Sequence, residues 1–166
     1  MPELWDIYDA DRKRTGRTHM REEQMQPGDY HLVVHIWLIN SCGEFFIDLR
    51  SPDKDPLPNV WETPGGSALA GEDSLTAALR EFHEETGIAL QPECGNRVLA
   101  FRRSSDFCDV WLFRQDIDVN DFVPQLGETV KARFATMQEI QDMMETGIFP
   151  PYTYEQQLFD IARRAT

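Results

Sequence analysis

The chain has 166 residues, of which 41% are hydrophobic and 27% charged, as is usual for one globular domain with its own core. Its 16 Lys and Arg residues against 29 Asp and Glu residues give a formal net charge of −13. This charge argues against binding a nucleic-acid polymer or an anionic membrane surface, because both need clustered cations. A small phosphorylated partner is compatible with it when a divalent cation lies between the two sets of negative charge.

The cysteine content predicts a protein without disulfides. Cys42, Cys94 and Cys108 are odd in number, lie far apart and form no CxxC pair. We therefore expect neither a disulfide framework nor a zinc site, and we expect a reducing, cytoplasmic location. The longest apolar run, residues 32–39, is far shorter than the roughly 20 residues that span a bilayer, so no membrane segment is expected.

The first half of the chain predicts two strands and a long loop. Residues 1–29 are polar, and we expect them to be an N-terminal extension that packs on a single domain spanning 1–166. His31–Ile39 is β-branched and almost continuously apolar, which predicts a central strand. A turn and a second strand over 44–49 follow, and the three prolines of residues 51–58 predict a loop.

The clearest helix is predicted over Ser74–Thr86. Apolar residues recur there at i, i+3, i+4 and i+7 and form one stripe: Leu75, Ala78, Leu79 and Phe82. Asp73 or Ser74 can cap the start of this helix, and Gly87 can end it in the left-handed conformation.

The second half of the chain alternates strand-like and helical patterns. Strands are predicted over 98–102 and 110–114, and helices over 136–145 and 154–164. Strands that precede, separate and surround helices in this way predict an α/β sandwich with a mixed sheet.

Three glutamates, Glu81, Glu84 and Glu85, share one face of the first predicted helix, turned away from its apolar stripe. Like charges at this spacing repel each other by roughly 0.2–0.5 kcal/mol per pair, so the two alternatives are a solvated acidic face and a cation site. Oxygen ligands without His or Cys suit a hard cation such as Mg²⁺ or Mn²⁺. The glycine-containing loop 62–66 precedes the helix and can bring a backbone carbonyl to the same cation.

The loop and helix together resemble the Nudix box, GX5EX7REUXEEXGU, in which U is an apolar residue. Gly66 is followed after five residues by Glu72 and after seven more by residues 80–88, with Phe82 and Ile88 at the apolar positions. Every defined position matches, so the chain is identified as a member of the Nudix family. The resemblance implies an α/β/α sandwich and the Mg²⁺- or Mn²⁺-dependent hydrolysis of a nucleoside diphosphate linked to another group.

The resemblance also implies roles for the residues of the box. Glu81, Glu84 and Glu85 resemble metal ligands, and one of them can act as the base on the attacking water. Gly66 resembles the residue whose carbonyl joins the metal ligands. Arg80 lies four residues before Glu84 and is expected to hold that carboxylate in position.

Five other residues are candidates with an alternative interpretation. Glu72 can serve a second cation or favourably charge the helix start. Glu128 lies where relatives often place a further acid, and it is a candidate catalytic residue or a surface strand residue. Arg50 and Lys54 flank the loop before the box and can bind a phosphate or stay solvated. Trp61 can stack on a base or belong to the core.

Segments outside the box resemble isopentenyl-diphosphate isomerases and the Nudix hydrolases nearest to them: residues 5–9, 16–18, 31–32 and 59–61. Those isomerases use a cysteine where this chain reads ETPGGSA over 62–68, and their REUXEE run tends to be degraded, whereas here it is intact. Hydrolysis is therefore the main prediction. The alternatives are an isomerase-like enzyme and a non-catalytic Nudix binding or regulatory module. Many relatives dimerise, so a homodimer stays open.

Overall fold

A computed structural model describes residues 3–164. Residues 1, 2, 165 and 166, at the ends of the predicted domain 1–166, lie outside the described residues. The strands are β1 (Leu4–Tyr8), β2 (Arg14–Met20), β3 (His31–Ile39), β4 (Phe45–Arg50), β5 (Trp61–Glu62), β6 (Gly65–Ser67), β7 (Gly95–Arg102), β8 (Asp106–Arg114) and β9 (Thr129–Ala135). The α-helices are α1 (Ser74–Thr86), α2 (Met137–Glu145) and α3 (Glu155–Arg164).

The central sheet is mixed, as the sequence predicts. Its strand order is β5-β4-β3-β8-β7, and β6 and β9 pair in addition with β3 and β4. β3 and β8 run parallel, with His31 opposite Asp106 and Ile39 opposite Arg114, whereas the strands on either side of them pair antiparallel. β3 is nearly continuously apolar because it lies in the middle of this sheet and is buried along its length.

Helices cover both faces of the sheet and give it two apolar cores. On one face, α1 places the fully buried ring of Phe82 against Phe46 of β4, with ring centroids 5.4 Å apart. On the other face, Phe159 of α3 packs against Trp37 of β3 at 6.1 Å, and α2 adds Ile140 to the same cluster. This arrangement is the α/β/α sandwich predicted from the sequence.

The N-terminal segment has more structure than the predicted polar extension. β1 and β2 form an antiparallel hairpin in which Leu4 pairs with Met20. The hairpin docks on the domain, because Ala70 N donates to Leu4 O at 2.7 Å and Tyr8 forms a bridge with Tyr30. Its second strand escapes prediction because five of its seven side chains are exposed, so it shows no alternation of apolar and polar residues.

Three further strands are absent from the sequence prediction. β5 and β6 are two and three residues long and lie in the glycine-containing loop. β9 pairs with β4 from Ala135 to Thr129, but it exposes Val130 and carries Lys131 and Arg133, so its pattern resembles a surface loop. No helix within residues 3–164 is both long and apolar enough to cross a membrane.

Candidate active site

The carboxylates of the site are carried by α1, which has the predicted bounds. Asp73 caps its start by accepting a hydrogen bond from Thr76 N at 2.8 Å. Gly87 ends it at a φ of 73°, and its N–H donates to His83 O at 2.8 Å. Phe82 packs α1 on Phe46 of the sheet, and the glutamates project from the helix on either side of this residue.

The three box glutamates on α1, Glu81, Glu84 and Glu85, differ in their surroundings. The side chain of Glu84 is 48% exposed and that of Glu81 is 14% exposed, whereas Glu85 is buried. Glu85 Oε2 accepts a hydrogen bond from Gly65 N at 3.2 Å. The expectation that all three turn away from the packed side is therefore wrong for Glu85, because this flank of α1 lies against β6. A purely solvated acidic face does not describe Glu81 or Glu85.

Arg80 joins the acidic residues of the box. Its Nη1 donates to Glu84 Oε2 at 3.0 Å, which is the contact expected from their spacing, and lies 3.1 Å from Glu81 Oε1. Its Nε and Nη2 donate to the two carboxylate oxygens of Glu72 at 2.7 and 2.9 Å, and Nη2 also donates to Ser67 O at 3.0 Å. Arg80 thus fixes the loop before α1 and three box glutamates, Glu72, Glu81 and Glu84, at once.

Glu72 is a partner of Arg80 and of the loop backbone. Besides the two bonds from Arg80, its carboxylate accepts one from Leu69 N at 2.9 Å. Burial opposes ionisation, but the hydrogen bonds from Arg80 and the Leu69 N–H lower the pKa of Glu72. Glu72 is ionised and fully engaged in this geometry, which makes it a residue that positions Arg80.

Gly66 allows the backbone of β6 to approach Glu81. Gly66 pairs with Val34 of β3, and a Cβ atom at Gly66 would lie 2.4 Å from the carboxylate carbon of Glu81. A side chain at this position is incompatible with the observed place of Glu81. Gly66 is predicted to offer its carbonyl to the cation that the carboxylates hold. This role requires Gly66 to lie next to a carboxylate.

We expect Gly66→Ala to lower turnover by about 10-fold to 100-fold while the protein stays folded, since the methyl group displaces the end of a flexible Glu81 side chain. Gly43→Ala is the matched control. Gly43 lies in the β3–β4 turn at a φ of 79° with open space around it, so this change should cost about 1 kcal/mol of stability and leave turnover unchanged. Steady-state rates and thermal unfolding of both variants test this. A normal rate for Gly66→Ala would contradict it.

The box glutamates line a polar cavity of about 170 Å³, which we call the carboxylate cavity. Its lining residues are Glu3, Arg21, Lys54, Gly65, Gly66, Ser67, Glu81, Glu84, Glu85, Gln125 and Glu128. Two candidates from outside the box, Lys54 and Glu128, thus meet the box residues here, and their side chains form an ion pair with each other. The loops that follow β4 and precede β9 bring them together.

Arg50 does not line this cavity. Its Nη1 donates to both carboxylate oxygens of Glu62, at 2.9 and 3.1 Å. Its Nε donates to Leu57 O at 2.9 Å and its Nη2 to Pro56 O at 2.7 Å. Each guanidinium nitrogen of Arg50 is therefore engaged with the loop after β4 or with Glu62 of β5, which leaves the predicted phosphate contact without support from the geometry.

Trp61 also lies outside the cavity lining and packs against the core on the α2–α3 face of the sheet. The guanidinium of Arg133 lies over its ring, 5.3 Å from the centroid, and its backbone N–H donates to Ile148 O at 2.9 Å. The core interpretation of Trp61 fits these contacts better than stacking on a base.

The sequence prediction missed Asp48, an acid on β4 that is fully buried. Its register partner on β5 is Glu62. Burial, followed by the charge of Glu62, raises the pKa of the Asp48 carboxyl well above its usual range. Burial, followed by the charge of Asp48, does the same for Glu85. The sequence feature that could have identified Asp48 is an acidic residue inside an otherwise apolar strand, FFIDL over 45–49.

These residues fit a hard divalent cation by the chemistry of their donors, which are carboxylate and carbonyl oxygens. Within residues 3–164 no three acidic side chains converge as a preformed cation site. Glu81 and Glu84 are drawn instead toward Arg80. Burial raises the pKa of Glu85 and of Asp48, and a cation beside these carboxyl groups would favour their charged forms.

Comparison with known proteins gives the family. The NUDIX domain model matches residues 29–154. A Nudix hydrolase of Listeria monocytogenes is 36% identical over 165 residues, covering 99% of this chain and 98% of the relative. Nudix hydrolase 3 of Arabidopsis thaliana is 28% identical over 181 residues, covering 98% of this chain and 23% of that protein.

Solved structures share the fold. DR0079 from Deinococcus radiodurans superposes with a TM-score of 0.73 at 22% identity, covering 98% of each chain. The NUDIX domain of Shewanella oneidensis NrtR, solved with ADP ribose, has a TM-score of 0.62 at 16% identity, covering 82% of this chain and 89% of that one. With a family model that matches most of the chain and a relative that aligns along its whole length, the chain belongs to the Nudix family and is a hydrolase that acts on pyrophosphate bonds.

Proposed function

We propose that this Nudix hydrolase cleaves the diphosphate linkage of a nucleoside diphosphate joined to another group, with Mg²⁺ or Mn²⁺ as cofactor. The observation that carries the proposal is the carboxylate cavity, which Glu81, Glu84 and Glu85 line together with Gly66, with the carboxylate of Glu81 next to Gly66. The ADP ribose bound to the NrtR domain, a structural neighbour, belongs to this substrate class and supports the proposal.

The residues of the carboxylate cavity have different roles in the proposed hydrolysis. Glu81, Glu84, Glu85 and the Gly66 carbonyl would hold the cation, which supplies charge neutralisation on the phosphoryl oxygens and a more acidic water. Burial raises the pKa of Glu81 and of Glu85, which makes each carboxylate a stronger base toward the attacking water. Arg80 keeps Glu81 in place for this transfer.

Lys54 is the residue we assign to the substrate phosphates. It is the lysine that lines the carboxylate cavity, and it is 20% exposed. Its ammonium is paired with Glu128, which holds it at the cavity before a phosphate arrives. Glu128 is the further acid outside the box, and it lines the same cavity as the glutamates.

No contact favours the isomerase-like alternative. In the part of the chain that the structure describes, the cysteines lie away from the carboxylate cavity: Cys42 is exposed in the β3–β4 turn, Cys94 is half-buried before β7, and Cys108 is buried on β8. Burial raises the pKa of the Cys108 thiol to about 12, which suits a small core residue and not an acid or base near neutral pH.

The test is a screen of diphosphate compounds with and without Mg²⁺, with released phosphate species as the readout. We expect turnover only with the cation, on ADP-ribose-like sugars, dinucleoside polyphosphates or related compounds. The cation alone should raise the melting temperature, because a ligand that binds only the folded state stabilises it by about 2.7 kcal/mol at a hundredfold excess over Kd. A non-catalytic module would bind a compound without releasing phosphate, and that result would contradict the proposal.

A further inference from the structure

One carboxyl group lies directly behind the carboxylate cavity, between the sheet and α1. Asp48 is 0% exposed, and neither of its carboxylate oxygens has a hydrogen-bond partner within residues 3–164. Buried polar groups are nearly always hydrogen-bonded, and an unpaired one is costly. An acid kept in such a position needs an explanation other than stability.

The orientation of Asp48 follows from its neighbours on β4. Side chains alternate along a strand, so Asp48 shares a face with Phe46, whose ring packs on Phe82 of α1. Glu85 follows Phe82 by three residues, close to one helical turn. Asp48 therefore lies in the layer between β4 and α1, as does Glu85, whose backbone carbonyl accepts a hydrogen bond at 3.1 Å from Thr129 of β9, the strand that pairs with β4.

The basic side chains nearest to Asp48 are paired with other acids. Arg50 and Lys54 are the basic groups that act on Asp48. Arg50 is engaged with Glu62, and Lys54 with Glu128. Within residues 3–164, Asp48 and Glu85 thus lie in one buried layer without an ion pair of their own.

We propose that Asp48 is the innermost ligand of the divalent-cation site and holds the cation jointly with Glu85. The inference rests on the proposed function, because it assigns this chain's own additional residue to the same cofactor. A cation between the two carboxylates replaces the missing counter-charge, and the donors are oxygens only, as Mg²⁺ and Mn²⁺ require. β4 pairs with β5 on one side and β9 on the other, so Asp48 starts from a rigid position that the box glutamates on α1 can close upon.

The experiment measures Mn²⁺ affinity by electron paramagnetic resonance and the melting temperature in a chelator, for the full chain and its variants. We expect Asp48→Asn to weaken Mn²⁺ binding at least tenfold and to leave the metal-free melting temperature unchanged or higher, because an unpaired buried carboxyl is removed. We expect the same Mn²⁺ affinity and melting temperature for Asp48→Val, whose side chain has no polar atom.

Asp109→Asn is the matched control. Asp109 is also 0% exposed, but Arg12 donates to both its oxygens at 2.7 and 2.5 Å, and Arg97 donates at 3.2 Å. This variant should melt at a lower temperature and bind Mn²⁺ with wild-type affinity, which is the reverse of the Asp48 pattern.

The outcomes separate the two proposals. Unchanged Mn²⁺ affinity in the Asp48 variants, with normal binding by the wild type, overturns the role of Asp48 and leaves the proposed function standing. Absence of Mn²⁺ binding by the wild type overturns both. Failure of both Asp48 variants to fold without metal also overturns the inference, since Asp48 would then stabilise the metal-free protein.

Discussion

Glu84→Gln and Glu85→Gln should each lower turnover by about 10²–10⁴-fold, equivalent to about 3–5 kcal/mol of transition-state stabilisation. Glutamine keeps the size of the side chain and removes the charge that the cation and the attacking water need. The two glutamates have different surroundings in the structure. Glu84 is half-exposed and held by Arg80, whereas Glu85 is buried and accepts a hydrogen bond from Gly65 N.

Metal-free stability distinguishes Glu85 further. Its folded-state pKa lies above the ordinary value of 4.5 because of burial and then Asp48, so the folded protein binds more protons than the unfolded chain above that pH. Stability without metal should therefore fall as pH rises from 4.5 toward the raised pKa of the folded state. Glu85→Gln should weaken this dependence, which chemical unfolding across pH measures.

Glu145→Gln is the control for the loss of one negative charge, since Glu145 is exposed at the end of α2. It should retain near-normal turnover and the wild-type pH dependence of stability. If Glu84→Gln and Glu85→Gln also kept near-normal rates on a verified substrate, the glutamates would only be a charged surface and the assignment of the site to α1 would be wrong.

The helix that carries the site could be predicted from the sequence because its signals are local. The Asp73 cap, the apolar stripe and the left-handed Gly87 all lie within one short stretch, and the structure has all three. The central strand β3 could be predicted equally well, because burial on both faces keeps it apolar except at His31 and His35. β9 could not, since its partner β4 lies far away in the chain and Lys131 and Arg133 interrupt its apolar residues.

The site likewise has residues that the sequence predicts and contacts that it does not. The motif over 66–88 predicts the glutamates and Gly66, whose closeness to Glu81 the structure shows. The pairing of Lys54 with Glu128 and the placement of Asp48 and Glu85 in one layer depend on how β4, β9 and α1 pack together. No local pattern encodes such contacts. For Arg50, the position in the sequence beside the loop predicts a phosphate contact that the structure does not support. Its guanidinium nitrogens donate instead to that loop and to Glu62.

Phe82→Ala should lower the free energy of unfolding by about 3–5 kcal/mol, because it opens a cavity where the structure cannot collapse easily. Phe82 is 0% exposed, and its ring packs on Phe46 beneath α1. The melting temperature should fall by about 6–20 °C in a domain of this size. Phe82→Leu keeps most of the volume and should cost less than about 1.5 kcal/mol.

The folded fraction of Phe82→Ala should still bind Mn²⁺, since the carboxylates project from the flank of α1 and not from its apolar stripe. Urea unfolding gives the stability, and Mn²⁺ titration well below the melting temperature gives the affinity. This pattern is the opposite of the one expected for Glu84→Gln and Glu85→Gln, which lose turnover and keep stability. Loss of Mn²⁺ affinity in folded Phe82→Ala would mean that α1 shifts on the sheet when this contact is removed, and that Phe82 sets the position of the glutamates as well as the stability of the fold.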